Sequence, residues 1–198
     1  MEQHNEVRET MSNQAVVSDL IHRLDEAVEK ATTHGCCHAI KDTLEEIVRS
    51  GEEFIEPAML QPCETRYARR LLHKDPAGRY SVLIMVWNIG QGTALHDHAH
   101  MWCVECVYRG QIKVVSYDEQ GRDGDLYRFS REMEVMAGPG EAGALIPPFE
   151  YHTLENASPD KPAVTIHVYG GEMTWCDAFL PVEGDLYRLE RRDLCYTD

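Results

Sequence analysis

The sequence predicts a mainly β protein: a double-sheet, jelly-roll-like barrel with α-helices at its N-terminus. From residue 66 onward, short β-rich runs follow one another at near-regular spacing, separated by turn residues and without helices between them. Before that point the apolar residues recur at helical spacing. The chain has 198 residues, 43% of them hydrophobic, which suits one sizeable core. We therefore predict a single domain over 15–198, with a helical part at 15–60 and a barrel core at 66–182.

The helical part contains two apolar stripes, which predict two amphipathic helices between residues 15 and 49. Residues 32–35 form the break between them, and both stripes are expected to pack onto a sheet. Residues 1–14 are polar and mixed in charge, and we expect them to form a flexible N-terminus. The first stripe comprises Leu20, Ile21, Leu24 and Ala27, and the second comprises Ile40, Leu44, Ile47 and Val48.

The barrel part contains six runs that predict strands. The run YSVLIMVW has no polar face and is typical of a fully buried strand, whereas QIKVVSYD alternates as a half-buried strand does. A Gly- and Pro-rich link at 137–143 separates the first three runs from the last three. The charged segment after residue 184 predicts no clear element. The six runs lie at 80–87, 101–108, 111–118, 144–148, 152–156 and 163–171.

Charge and cysteine content restrict the partners and the compartment. The chain carries 34 acidic and 19 basic residues, a net charge of −15. Such a surface repels nucleic acid and anionic membranes, so we expect neither as a partner. No run approaches the roughly 20 apolar residues of a membrane span, and the N-terminus lacks the apolar centre of a secretory signal. Seven scattered cysteines do not resemble a secreted disulfide framework, which predicts a reducing, cytoplasmic location.

The segment LHDHAH places two histidines at alternate positions. In a strand, His96 and His98 would share a face and could hold one metal ion together. His152, in the segment PPFEYHTLEN, is the best third ligand. Three neutral imidazoles leave coordination positions open, as catalytic metal sites do. An isolated pair of this kind is more often a surface or core pair, so the neighbouring residues must decide.

The residues around these three histidines resemble the two sequence motifs of the cupins. Cupins usually carry a glutamate where this chain has Cys103, and the exchange resembles the cysteine dioxygenase family of thiol dioxygenases. A glycine usual in the second motif is Phe149 here. The motifs are Gly90-x5-His96-x-His98-x4-Cys103-x6-Gly110 and Pro147-x4-His152-x3-Asn156.

The resemblance implies one Fe(II) per chain, held by His96, His98 and His152. Spacing alone does not distinguish iron from zinc, manganese or nickel. The segment Tyr67-Ala68-Arg69 is similar to a family segment whose arginine binds the substrate carboxylate. Taken alone, Arg69 would be a surface charge, because arginine is seldom buried without a partner.

The segment Thr165-Ile166-His167-Val168-Tyr169 also resembles the family. The resemblance implies that Tyr169 places its hydroxyl near the iron and the substrate carboxylate, and that His167 holds this hydroxyl, with Thr165 behind it. Cys176 matches a family cysteine at the substrate. Without the resemblance, His167 and Tyr169 are ordinary core side chains.

Cys103 has a further implication. In some family members a cysteine at this position forms a thioether bond to the active-site tyrosine, and this chain has both partners, Cys103 and Tyr169. We therefore state a cross-link between them as a hypothesis. The alternative is a free buried cysteine, a common state of this residue type.

The resemblance implies an enzyme that adds both atoms of O2 to the thiolate of L-cysteine and forms cysteine sulfinic acid. Its partners would be a small thiol carboxylate and O2, and the protein would be a monomer or small homo-oligomer. Within the family, arginine at position 69 accompanies cysteine use. Four alternatives stay open: dioxygenation of 3-mercaptopropionate, dioxygenation of mercaptosuccinate, another cupin metalloenzyme such as an isomerase, and a ligand-sensing cupin without catalysis.

Overall fold

The computed structural model describes residues 2–198, and their side chains from residue 13 onward. Two helices, α1 (Glu2–Val28) and α2 (Thr33–Arg49), precede a short 3-10 turn at Pro57–Leu60. The two predicted helices are confirmed, although α1 begins well before residue 15. Residues 2–14, where we expect a flexible terminus, belong to α1. The side chains of residues 1–12 lie outside the described part of the chain, so the flexibility of this terminus stays a prediction. Neither described helix is both long and apolar enough to cross a membrane.

Strands form the rest of the described chain, which confirms a mainly β fold with N-terminal helices. One sheet has the order β1-β2-β9-β4-β7, and a second, closed sheet has the order β10-β11-β6-β5-β8-β3. The strands are β1 (Ala68–Lys74), β2 (Ser81–Trp87), β3 (Leu95–His96), β4 (Cys103–Arg109), β5 (Ile112–Asp123), β6 (Leu126–Ala137), β7 (Ala142–Leu145), β8 (His152–Asn156), β9 (Ala163–Tyr169), β10 (Trp175–Glu183) and β11 (Leu186–Asp193).

The strands that lie outside the six predicted runs include β6 and β11. β6 pairs with β5 in a long hairpin, and β11 pairs with β10, so the barrel continues to Asp193 rather than ending near residue 182. Most side chains of β6 and β11 are exposed or half-buried. A strand without a continuous buried face lacks the alternation that identifies strands in a sequence.

The first sheet is buried on both faces. All seven residues of β2 and all seven of β9 are buried, which explains their continuous apolar runs. One face packs against the helices: Ile84 and Ile166 share a core cluster with Leu20, Leu24 and Ile40. Each such side chain contributes about 1.5–3 kcal/mol when fully buried. The opposite face of this sheet is turned into the barrel.

A charged cluster attaches α1 to the turn between β1 and β2. Arg79 donates to Asp25 of α1 and to Glu29 directly after it, both at 2.6 Å, and through Nε to the buried Asp75 at 2.9 Å. Tyr80 adds a hydroxyl hydrogen bond to Asp25 at 3.2 Å. The hydrogen bonds from Arg79 hold the pKa of Asp75 well below its ordinary value. The cluster therefore fixes the first helix to the barrel.

Arg79→Ala is expected to lower Tm and to release α1, because it leaves the buried Asp75 without its cation. The control is Arg128→Ala, which removes an exposed pair with Asp185 and should cost less than about 1 kcal/mol. Thermal unfolding followed by circular dichroism compares them. Since the folded pKa of Asp75 is lowered, the contribution is present above about pH 4. It should be lost as the pH falls further. Equal Tm values for both variants would contradict this.

Candidate active site

Three histidines meet between the two sheets. His96 on β3 pairs in register with His152 on β8. His98 follows in the next turn, and the three ring centroids lie 4.8–5.2 Å apart. One nitrogen from each ring lies within 4.8 Å of the others, close enough for the three to hold one metal ion. His98 and His152 are 1% and 0% exposed.

The predicted reason for the position of His98 is wrong. β3 ends at His96, so strand alternation does not bring the two rings together. Instead, the Asp97 carboxylate accepts hydrogen bonds from the Asp177 and Ala99 backbone N–H groups, at 2.8 and 3.2 Å. Ala99 has a positive φ of 52°. These two hydrogen bonds and the positive φ form a turn directly after β3. The turn directs the His98 ring toward His96 and His152.

The three imidazoles are suited to bind a metal ion. Burial lowers the pKa of His96 to about 4 and the pKa values of His98 and His152 well below the ordinary value. All three rings are therefore neutral near pH 7, the state that ligates metals. His98 Nδ1 and both ring nitrogens of His152 are buried without a hydrogen-bond partner. Buried nitrogens of this kind normally require a partner, and a metal ion at the cluster would supply one.

A hydrogen-bonded chain along β9 forms one wall of the site. Trp87 Nε1 donates to Thr165 Oγ1 at 2.9 Å, and this oxygen lies 2.8 Å from His167 Nε2. His167 Nδ1 in turn lies 3.2 Å from the Tyr169 hydroxyl. Burial holds the pKa of Tyr169 well above its ordinary value, so its hydroxyl stays protonated. The Tyr169 and His98 rings are 5.9 Å apart, which places this hydroxyl-bearing ring beside the histidine cluster.

Cys103 lies beside Tyr169. The two residues are register partners on β4 and β9, and both belong to one buried cluster. Cys103 Sγ is 3.9 Å from His167 Nδ1. Burial raises the pKa of Cys103 well above the ordinary thiol value, which keeps it a neutral thiol. The structure thus brings together both partners of the hypothetical cross-link.

Arg69 is buried, at 5% exposure, rather than a surface charge. Its guanidinium donates to the Met173 and Cys195 backbone carbonyls, at 3.1 and 3.3 Å. Its backbone is held by Thr197, whose N–H donates to Arg69 O at 2.7 Å. Among the described residues, no carboxylate forms an ion pair with this cation. Burial lowers the pKa of His167 to about 3, and the positive charge of Arg69 is the second cause of this lowering. Arg69 therefore acts electrostatically on a residue of the site.

Tyr67 and Cys176 complete the set of predicted residues. The Tyr67 ring packs on Trp87, with centroids 4.7 Å apart. Cys176 on β10 is buried in the same cluster as Cys103 and Tyr169. Burial raises its pKa to about 11. Cys103, Tyr169 and Cys176 thus share one buried cluster, whereas Tyr67 packs against the cluster around Trp87.

Sequence reasoning missed Glu105, which is buried at 8% exposure inside the barrel. Its Oε1 lies 3.6 Å from His152 Nδ1 and its Oε2 lies 3.6 Å from His167 Nδ1. Burial raises the pKa of Glu105 to about 8. The signal was present: Glu105 follows Cys103 at an alternate position, so both face the barrel interior.

Two facing antiparallel sheets with three clustered imidazoles between them, two of them buried, define a protein of the cupin class with a candidate metal centre. The family model described as cysteine dioxygenase type I matches residues 7–181. Because this match covers most of the chain, the chain belongs to the cysteine dioxygenase type I family.

Individual relatives agree with this family. The chain is similar to cysteine dioxygenase type 1 of Rattus norvegicus and of Homo sapiens, at 25% identity over 114 residues, and of Danio rerio, at 27%. Each alignment covers 58% of this chain and 56% of the relative, so the chain spans about half the length of these relatives. A solved double-stranded β-helix protein from Klebsiella pneumoniae aligns with a TM-score of 0.45 at 17% identity, over 61% of this chain and 87% of that one.

His98→Ala is expected to reduce bound iron from about one ion per chain to background, because it removes one of three ligands. Protein loaded anaerobically with Fe(II) and desalted is measured by elemental mass spectrometry. His100→Ala is the matched control, since His100 lies in the same LHDHAH segment but is exposed. Equal iron in the two variants would argue against the three-histidine cluster as the metal centre.

Proposed function

We propose that this chain is a thiol dioxygenase that converts L-cysteine and O2 to cysteine sulfinic acid at an Fe(II) ion held by His96, His98 and His152. The observation that carries the proposal is the buried Arg69, a cation without a carboxylate partner among the described side chains, whose charge acts on His96 of this cluster and on His167. A buried, unpaired charge is costly. A substrate carboxylate would therefore complement it, and family membership agrees with a small thiol substrate.

Three neutral imidazole ligands leave coordination positions open on a metal ion, and family membership favours iron as that ion. Iron held there supplies a centre that acidifies a bound thiol and reacts with dioxygen. Sulfur gives four electrons to O2, and both oxygen atoms end on sulfur, so the reaction needs no further reductant. The surrounding burial excludes water from the reacting sulfur.

Arg69 binds the substrate carboxylate in this proposal. Its guanidinium is fixed by the Met173 and Cys195 carbonyls, and the planar fork suits a carboxylate. Tyr67 and Cys176 would form further parts of the substrate pocket. Fixing the carboxylate orients the thiol toward the histidine cluster, which lowers the entropic cost of the reaction.

Tyr169 supplies a proton donor in this proposal. Thr165 accepts from Trp87, so it can donate its own hydroxyl proton to His167 Nε2. The neutral ring then carries its hydrogen on Nδ1, facing the Tyr169 hydroxyl. Tyr169 would thereby be held in place, with its own proton free to be donated to the substrate carboxylate or to oxygen. His167 and Thr165 act through Tyr169 and are positioning residues.

A second candidate substrate is mercaptosuccinate, which carries two carboxylates. Arg192 is the register partner of Cys176 on the neighbouring strand. Burial has the largest effect on the pKa values of Cys176 and His96, and the positive charge of Arg192 lowers both values by a smaller amount. A second cation beside Arg69 would favour a second carboxylate.

A cytoplasmic location and a monomeric or small oligomeric state stay predictions.

Oxygen uptake by anaerobically iron-loaded protein tests the proposed function. With L-cysteine as the only thiol, we expect one O2 consumed for each cysteine sulfinic acid, identified by mass. The values of kcat/KM for cysteine, 3-mercaptopropionate and mercaptosuccinate rank the substrates, with cysteine expected highest. A higher value for either other thiol would transfer the proposal to that substrate. No uptake with any thiol, despite bound iron, would reject dioxygenation.

Arg69→Ala provides the matched test of carboxylate binding. Losing a hydrogen bond to a charged group costs about 1.5–3 kcal/mol, so kcat/KM should fall on the order of 10- to 100-fold. Arg70→Ala is the control, because Arg70 is adjacent but donates to the Met59 carbonyl instead.

We also propose the Cys103–Tyr169 thioether, in which a C–S bond forms and two hydrogens are lost, with O2 taking the two electrons and two protons. Active protein is expected to be about 2 Da lighter than the sequence mass and to yield one linked peptide. Cys103→Ser should remove both signals, whereas Cys106→Ser should retain them. An unshifted mass after many turnovers, with both peptides free, would reject the cross-link.

A further inference from the structure

One buried carboxyl group lies between a metal-site histidine and the histidine that contacts Tyr169. Glu105 is on β4, at the alternate position after Cys103, and therefore faces the interior of the barrel. In register it lies opposite His167 on one side and Gly143 on the other. Because Gly143 has no side chain, it leaves room beside the carboxyl group, which turns toward the histidines.

The carboxyl group of Glu105 lies between those two rings. Oε1 is 3.6 Å from His152 Nδ1, and Oε2 is 3.6 Å from His167 Nδ1. Neither distance is a formed hydrogen bond, but a small rotation of the carboxyl group or a ring closes it. Within the described structure, Glu105 Oε2 and His152 Nδ1 are buried without a hydrogen-bond partner.

A comparison with His96 indicates what this arrangement does. His96 Nδ1 donates to the Ala94 carbonyl at 3.0 Å, which leaves Nε2 for the metal ion. Metal-ligating histidines almost always donate their second ring N–H to a carbonyl or carboxylate, which fixes the tautomer and the ring orientation. His152 has no such carbonyl, and Glu105 Oε1 is the acceptor beside its Nδ1. A carboxyl group can accept this hydrogen bond in either protonation state, because the ionised group accepts at both oxygens and the acid retains acceptor capacity.

We propose that Glu105 is a positioning residue of the metal centre: Oε1 accepts the Nδ1 hydrogen of His152 and fixes Nε2 toward the metal ion, while Oε2 contacts His167 and steadies the ring that holds Tyr169. The inference rests on the proposed function only in taking the three-histidine cluster as a metal site. It adds a residue at a position that the first sequence motif leaves unspecified, between Cys103 and Gly110.

Metal affinity is the measurement that separates this role from simple packing. Glu105→Leu fills a similar volume without an acceptor, and we expect its Fe(II) affinity, measured by anaerobic chelator competition, to fall about 10- to 100-fold. Glu105→Gln retains a carbonyl acceptor and should restore most of the affinity. Val107→Ala, on the same face of β4, is the control and should bind as tightly as the native chain. The visible spectrum of Co(II)-loaded protein should change in Glu105→Leu alone.

Unchanged affinity and an unchanged Co(II) spectrum in Glu105→Leu would overturn the inference, even if the native chain oxidises cysteine. Conversely, weaker binding in Glu105→Leu with no thiol oxidation by the native chain would support the inference and reject the proposed function. If Glu105→Leu does not fold, Glu105→Asp decides, since the shorter acid cannot reach both rings. Native affinity in Glu105→Asp would count against the inference.

Discussion

Desolvation of polar side chains inside the barrel is the constraint on which the rest of this structure depends. A buried polar group without a partner costs on the order of 1–3 kcal/mol, and this barrel buries His98, His152, His167, an arginine and a glutamate, with the half-buried His96 beside them. Several of them have identifiable partners: the Ala94 carbonyl for His96, and the Trp87–Thr165 chain for His167. One nitrogen from each of the three metal-site rings lies within 4.8 Å of the others. The site is thus defined by the polar groups that the fold does not pair internally.

The helices contribute to this constraint from the opposite face of the first sheet. β2 and β9 carry apolar side chains on the face opposite the site, and the helices cover that face. Without this cover the first sheet would expose a large apolar surface. With it, the strand that carries Thr165, His167 and Tyr169 lies in a close-packed layer, where its side chains have little freedom to move. Rigidity of this kind suits a site that must hold two reactants in one geometry.

Much of the fold and the metal-site residues could be predicted from the sequence, because the signals are local. The apolar run of β2 and the helical stripes reflect burial of whole faces, and the alternating His167 and Tyr169 share a face as expected. The turn that directs His98 inward could not be predicted, because it depends on Asp97 accepting from Asp177, far away in the chain. β6 and β11 escaped notice because strand pairing, rather than side-chain burial, defines them. Glu105 was overlooked because its partners lie on β8 and β9.

The attachment of Arg69 to the last residues of the chain has an evolutionary consequence. Its guanidinium and backbone are held by Cys195 and Thr197, in a segment that follows the last strand. Segments outside regular elements diverge faster than strands do. Substitutions in this tail could shift the guanidinium without altering the arginine itself. Related proteins that share Arg69 and the histidine cluster could therefore acquire different preferences for thiol acids through drift in the segment that holds the guanidinium.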